Sequence, residues 1–363
     1  MVRLSNFLVC LLSTAIFLVV TELTLQLLPV DDATKIQSVD ADNPILRFEP
    51  NREVVWSRGW NFENIRKKHV NNKGFVDNQD YVDGQKIVAI IGDSYIEAMR
   101  VPYDNTIQGR LARDLSSKNI KAYSFGASGA PLSQYLAYAE YADSTFDPLF
   151  LVFTIIRNDF HTSLLRDKSQ PGFHYFSEEA GDLKLTRVDY KPSFFKRILR
   201  KSALIRYLFF NVGAKTIWYW FASDVADVPP RVSENIISRS ERVVQEFLRV
   251  LDQKKYVPND RVIFAIDGLR NAIYSSSVED AKGSYFWRMR QYFLQEARSF
   301  GFQVIDLQEV FAKEFAARHL AFEFENDRHW NGYAHGVVFE QIRKIIQQHL
   351  ALEISKRGAQ FGG

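Results

Sequence analysis

Cysteine is almost absent from this 363-residue chain: Cys10 is the only one, and it lies in the apolar N-terminal segment. No disulfide can therefore staple the rest of the chain, and no Cys-based metal site or thiol nucleophile is available there. No His-Glu-x-x-His or comparable ligand spacing occurs, so no metal is expected. Gly-x-Gly-x-x-Gly and Gly-Lys-Ser/Thr are also missing, which removes the usual nucleotide cradles and any expectation of a cofactor. Charge of one sign is lacking too. The 46 basic and 43 acidic residues leave a net +3, without the broad basic field that nucleic-acid binding needs. Internal repeats and low-complexity tracts are absent.

Aromatics, by contrast, are plentiful. The 29 Phe and 16 Tyr are read as core and insertion packing. A chain of this length can bury a full core. Between Arg3 and Glu22 there is no charged residue, and this 18-residue gap is long enough to cross a bilayer core as a helix at about 1.5 Å per residue. No small-x-small cleavage site follows Val20, and Cys10 stands too near the start for a lipoprotein site. Residues 1–28 therefore read as an uncleaved anchor rather than a signal peptide. Arg3 precedes the apolar run and Asp31-Asp32 follow it, so the positive-inside rule leaves the N-terminus in the cytoplasm. The remainder is expected on the far side, in the periplasm if the source is a Gram-negative bacterium.

Residues 29–84 are polar and irregular, with scattered aromatics such as Trp56 and Trp60. They read as a juxtamembrane extension packed on the main domain, 85–352. In that domain, strands are expected at 86–91, 121–125, 149–155, 261–266 and 303–307. Helices are expected from about 105, where Ile107, Leu111 and Leu115 share a face, after Pro131, and at 233–252, 285–299 and 332–350. Five short apolar strands separated by helices argue for a parallel sheet covered on both faces. The alternation lapses over 161–231, a basic and aromatic insertion containing Phe194-Phe195-Lys196-Arg197 and Ile217-Trp218-Tyr219-Trp220-Phe221. It is expected to cover the site, to form a helical lid packed by its aromatics, or to touch a membrane surface. Residues 353–363 read as a disordered tail.

Three segments carry chemistry. Gly92-Asp93-Ser94-Tyr95 follows the apolar run Ile87-Val88-Ala89-Ile90-Ile91, which puts Ser94 on the first turn beyond a buried strand. Ile156-Arg157-Asn158-Asp159 follows another such run, and Asp327-Arg328-His329-Trp330-Asn331 precedes the last helix. A serine hydroxyl is a weak nucleophile until an imidazole, oriented by a carboxylate, removes its proton. Ser94, His329 and Asp327 supply these three groups at the carboxyl edge of the sheet, with Glu325 as the reserve acid. The oxyanion formed on attack needs aimed donors. Candidates are the backbone N–H groups of Ser94 and Gly129 and the side-chain amide of Asn158. Any one segment alone is an ordinary turn or cap; their joint order points to a serine esterase.

These blocks resemble those of the SGNH hydrolases, also called the GDSL family of esterases and acyltransferases. Gly92-Asp93-Ser94-Tyr95 matches the first block with Tyr for Leu. Ser124-Phe125-Gly126-Ala127-Ser128-Gly129 is similar to Asn-x-Gly-x-x-Gly, and Ile156-Arg157-Asn158-Asp159 to Gly-x-Asn-Asp. Asp327-x-His329 resembles a short form of the last block, which often reads Asp-x-x-His; the residue three before His329 is Asn326. The preface Asn71-Asn72-Lys73-Gly74-Phe75 is similar to the lead-in of membrane-anchored bacterial members. The resemblance covers about 71–350. It implies a flavodoxin-like three-layer α/β/α sandwich with a five-stranded parallel sheet, and no cofactor.

The expected activity is hydrolysis of O-acyl, foremost O-acetyl, esters of envelope glycans, with lipid esters second. An O-acyltransferase using the same site stays open, as does a silent glycan-binding or assembly scaffold. A haloacid-dehalogenase-type phosphatase would need an early Asp-x-Asp after a buried strand, whereas Asp40-Ala41-Asp42 follows a polar segment. An α/β-hydrolase is excluded because Ser94 is not in Gly-x-Ser-x-Gly.

Overall fold

The computed structural model describes residues 2–166, 169–213, 232–275, 279–325 and 327–361. The chain opens with helix α1 (Val2–Gln26). Within its stretch Leu4–Gln26 an 18-residue window has a mean hydropathy of 2.3 and is only 6% buried. At about 1.5 Å per residue it is long enough to cross a bilayer, a length and composition that signal sequences share.

An antiparallel pair follows, β1 (Arg52–Arg58) and β2 (Glu63–Val70). This corrects the expectation of an irregular extension. The pair escaped notice because most of β2, Glu-Asn-Ile-Arg-Lys-Lys-His-Val, is exposed and charged, with only Lys68 and Val70 buried. Nor is the extension a separate layer: Val39, Phe48, Val54, Phe75 and Tyr81 are buried in the same core as the main sheet.

That sheet contains β3 (Lys86–Gly92), β4 (Lys121–Gly126), β5 (Asp147–Ile155), β8 (Val262–Ile266) and β9 (Gln303–Asp306). Its order is β4-β3-β5-β8-β9, and every pairing is parallel. Between them, β6 (His174–Glu179) and β7 (Asp182–Arg187) form a separate hairpin. Helices among the described residues include α2 (Ser94–Glu97), α3 (Ile107–Leu115), α4 (Leu132–Thr145), α5 (Phe194–Leu199), α6 (Ala203–Arg206) and α7 (Glu234–Lys254). They are followed by α8 (Tyr285–Ser299), α9 (Leu307–Arg318) and α10 (Gly332–Phe361). Ile87, Ala89 and Ile91 pack with residues of α4, α7 and α8, while Val88 and Ile90 pack with residues of α3, α9 and α10. Successive side chains of a strand point to opposite faces, so a helix layer on each face explains why the whole run is apolar. The architecture is the three-layer α/β/α sandwich of flavodoxin-like strand order.

Two further corrections concern the ends of elements. Helix α10 continues to Phe361, through the stretch expected to be a disordered tail. No proline interrupts it, and backbone hydrogen bonding extends the helix beyond its last core contact. The insertion, expected to be helical and aromatic, also holds the β6–β7 hairpin, and this hairpin packs on α4, where Ser133 Oγ donates to His174 O at 2.8 Å. The aromatic run 217–221 lies outside the described residues.

The doubly wound order reverses direction around β3, whose neighbours are β4 and β5. In open sheets of this kind the crevice beyond the strand carboxyl ends at that point is where ligands bind.

Candidate active site

β3 ends at Gly92, and Asp93 caps the single-turn helix α2 by accepting a hydrogen bond from Tyr95 N at 3.0 Å. Ser94 is thereby the first residue of the turn beyond β3. The neighbouring strand comes close here. A Cβ on Gly126 would stand 2.7 Å from the Glu97 backbone nitrogen, so only glycine lets α2 sit against the end of β4.

His329 arrives on the short hairpin of β10 (Glu323–Phe324) and β11 (Asp327–Trp330) that leads into α10. Its Nε2 lies 2.7 Å from Ser94 Oγ. Asp327 Oδ1 accepts from His329 N at 2.9 Å and also contacts His329 Nδ1. With Nδ1–H directed at this carboxylate, the lone pair of Nε2 faces the serine hydroxyl. Ser94 Oγ also lies 3.2 Å from Asp93 Oδ2, a second acceptor within reach. The other oxygen of Asp327 is 2.6 Å from Arg100 Nη2. The Arg100 guanidinium sits over the rings of Trp56 at 5.0 Å and Phe324 at 5.7 Å.

Electrostatics follow from this arrangement. Burial disfavours the Asp327 carboxylate, but the hydrogen bond and charge of His329, with Arg100 behind, hold its pKa below the ordinary value. Burial likewise disfavours imidazolium, yet Asp327 raises His329 above its ordinary value, against an opposing contribution from Arg100. Asp93 and Glu97 beneath are both raised by burial. Ser128 N donates to Glu97 at 2.6 Å.

The histidine strand is braced from two sides. Tyr95 OH donates to Arg328 O at 2.9 Å, tying the serine helix directly to β11. Trp330 Nε1 donates to Asp267 at 3.1 Å, and Asp267 pairs with Arg270 at 2.9 Å. Lys68 of β2 reaches under the same region and donates to Ala98 O at 2.8 Å; burial drops its pKa to about 8.

A cleft of about 100 Å³ opens beside Ser94 and His329, lined by Trp56, Arg58, Met99, Arg100, Ser128 and Trp330 among others. One wall is therefore contributed by β1. The structure brings Ser94, His329 and Asp327 together. Gly129 and Asn158 each stand three residues past the strands that flank β3, β4 on one side and β5 on the other. Neither lines the cleft. Gly129 is left-handed (φ +82), a conformation that favours glycine. Glu325, the reserve acid, is exposed on the β10–β11 turn, and Asn326 lies outside the described residues. Asp159 is buried and holds its own turn, accepting from Ile156 N at 2.8 Å.

Sequence reasoning missed Arg100, Arg58, Lys68 and the role of Trp56. Only the position of Arg100, just after the serine helix, hints at the site. Its partner comes from the far end of the chain, and no local pattern encodes that pairing.

No protein-family profile matches the sequence, and no curated protein matches it. Among solved structures the chain is similar to the acetyl xylan esterase AlAXEase, at 13% identity, covering 71% of this chain and 98% of that one, with a TM-score of 0.41. It is also similar to the lipase Lip_vut3 from a goat rumen metagenome, at 13% identity, 72% and 97% coverage and a TM-score of 0.39. A third is the lipase/acylhydrolase from Enterococcus faecalis, at 10% identity, 73% and 96% coverage and a TM-score of 0.37.

Proposed function

We propose that this chain is a serine esterase that works through an acyl-enzyme on Ser94. The observation that carries the reading is the 2.7 Å contact between Ser94 Oγ and His329 Nε2, with Asp327 behind the imidazole. As Oγ attacks the ester carbonyl, His329 takes its proton, and Asp327 stabilises the resulting imidazolium. The N–H groups of Ser94 and Gly129 and the amide of Asn158 are the donors assigned to the oxyanion. Collapse breaks the ester C–O bond, and His329 returns its proton to the departing alkoxide. Water, activated by the same imidazole, then attacks the acyl carbonyl and restores Ser94.

The small cleft beside Ser94 supports a small acyl group. At about 100 Å³ it is well below the 300–1,000 Å³ of drug-sized pockets, which suits a short acyl group such as acetyl. An apolar α1 favours a body held at a membrane, outside the cytoplasm by the charge rule, with O-acylated envelope glycans as substrates. The test is p-nitrophenyl acetate hydrolysis by the full chain in detergent beside its Ser94→Ala variant. Turnover that is lost with the hydroxyl supports the reading; equal rates in the two proteins overturn it.

A further inference from the structure

The segment 191–213 contains Lys191, Lys196, Arg197, Arg200, Lys201 and Arg206 but no acidic residue. It also exposes large apolar side chains. Phe194 and Phe195 are 70% and 68% exposed, and Ile198, Leu208, Phe209 and Val212 are exposed as well. A soluble surface rarely carries so concentrated an apolar group, and such a patch marks a contact.

The position of the segment identifies the contact. Glu22 of α1 accepts hydrogen bonds from Ser202 Oγ at 2.8 Å, Ala203 N at 2.8 Å and Leu204 N at 2.9 Å. The side chain of the apolar helix therefore caps α6. Leu25, Val30 and Ala203 close the same joint as a small buried cluster. Glu22 stands four residues before the end of α1, about 6 Å along its axis. An element fastened at that level lies at the depth of lipid headgroups when α1 spans a bilayer. From the other side the segment is braced on β1: Asn211 Nδ2 donates to Ser57 Oγ at 2.7 Å, and Arg58 donates to Phe210 O at 2.9 Å. None of its residues lines the cleft beside Ser94.

We propose that residues 194–212 are a membrane foot: α5 and the turn after α6 rest in the headgroup layer of the bilayer crossed by α1, aromatics inward and cations toward anionic lipid. This rests on the anchoring reading above. Apolar side chains with flanking Lys and Arg are the composition of interfacial segments, and basic residues beside a membrane are drawn to anionic headgroups. Because β1 joins the foot to the cleft wall, the foot also fixes how the cleft stands over the membrane.

The experiment uses the full chain in vesicles whose acyl tails are brominated, with a bimane fluorophore on one cysteine at a time. The native Cys10 reports on α1. Phe195→Cys in a Cys10→Ser background reports on the foot, and Asp182→Cys, at the exposed β6–β7 hairpin, is the reference. The proposal expects quenching at 10 and 195 but not at 182, and stronger quenching at 195 when phosphatidylglycerol is added to phosphatidylcholine. Quenching at 10 with none at 195 overturns the foot and leaves the anchor standing. No quenching at 10 overturns the anchor reading itself. A 195 probe shielded from aqueous iodide yet untouched by brominated tails means that protein, such as a second copy, covers the patch; this too overturns the lipid assignment. Equal quenching at 195 in both lipid mixtures overturns the preference for anionic lipid.

Discussion

Replacing Arg100 by glutamine removes the cation that holds the outer oxygen of Asp327, while a side chain of similar course stays between Trp56 and Phe324. The pair is 2.6 Å apart, and the two side chains are 18% and 16% exposed, so solvent screens it little. A hydrogen bond to a charged group in such a setting contributes about 1.5–3 kcal/mol. At 1.36 kcal/mol per tenfold, loss of that support in the transition state is about 10- to 150-fold in kcat/KM. Arg100 is a positioning residue, so the pH profile is the discriminating readout. Its cation works against protonation of His329. Without it the imidazole holds its proton to higher pH, and catalysis needs the neutral ring, so the acidic limb of kcat/KM moves up. The assay is p-nitrophenyl acetate hydrolysis from about pH 5 to about pH 9, with melting temperature measured on the same samples. Arg100→Lys, which keeps the charge, restores part of the rate and most of the limb position. An unchanged rate and an unmoved limb in a folded Arg100→Gln protein would mean that Arg100 does not support Asp327 in catalysis.

Other substitutions give independent checks on the same assay and on thermal melting. Asp327→Asn removes the charge that raises His329, so the acidic limb moves down, and kcat drops by about 10⁴-fold because the tautomer is no longer fixed. Gly126→Ala places a methyl 2.7 Å from Glu97 N and pushes α2; a shift of about 1 Å at Ser94 costs about 10²-fold in kcat. Ala98 ends α2 in the left-handed region (φ 46), so Ala98→Gly raises stability by about 1 kcal/mol, read as a higher melting temperature with activity retained.

Much of this architecture is written locally. Ile87 to Ile91 is a five-residue apolar run, and a strand covered on both faces requires one. Ser94, Asn158 and His329 each stand just past a buried strand or before a helix, where the polypeptide changes direction and side chains reach the sheet edge. Distant pairings are not written locally. The hairpin of β1 and β2 hides because its outer face is charged, and Trp56, which forms part of the cleft wall, reads only as a stray aromatic. Arg100 meets Asp327 only once the sheet has brought the two ends of the domain together. The end of α10 misleads for the opposite reason: its polar residues resemble a tail, but polarity alone does not stop a helix.

Trapping the acyl-enzyme on Ser94 tests the serine mechanism itself. The full chain is mixed with p-nitrophenyl acetate, quenched in acid within the first turnovers, digested and mapped by mass spectrometry. A covalent mechanism at Ser94 gives one acetyl group on the peptide containing Ser94, absent from Ser94→Ala and accumulating with the release of p-nitrophenol. Steady turnover with no acetyl on that peptide, or with acetyl on another side chain, would contradict it.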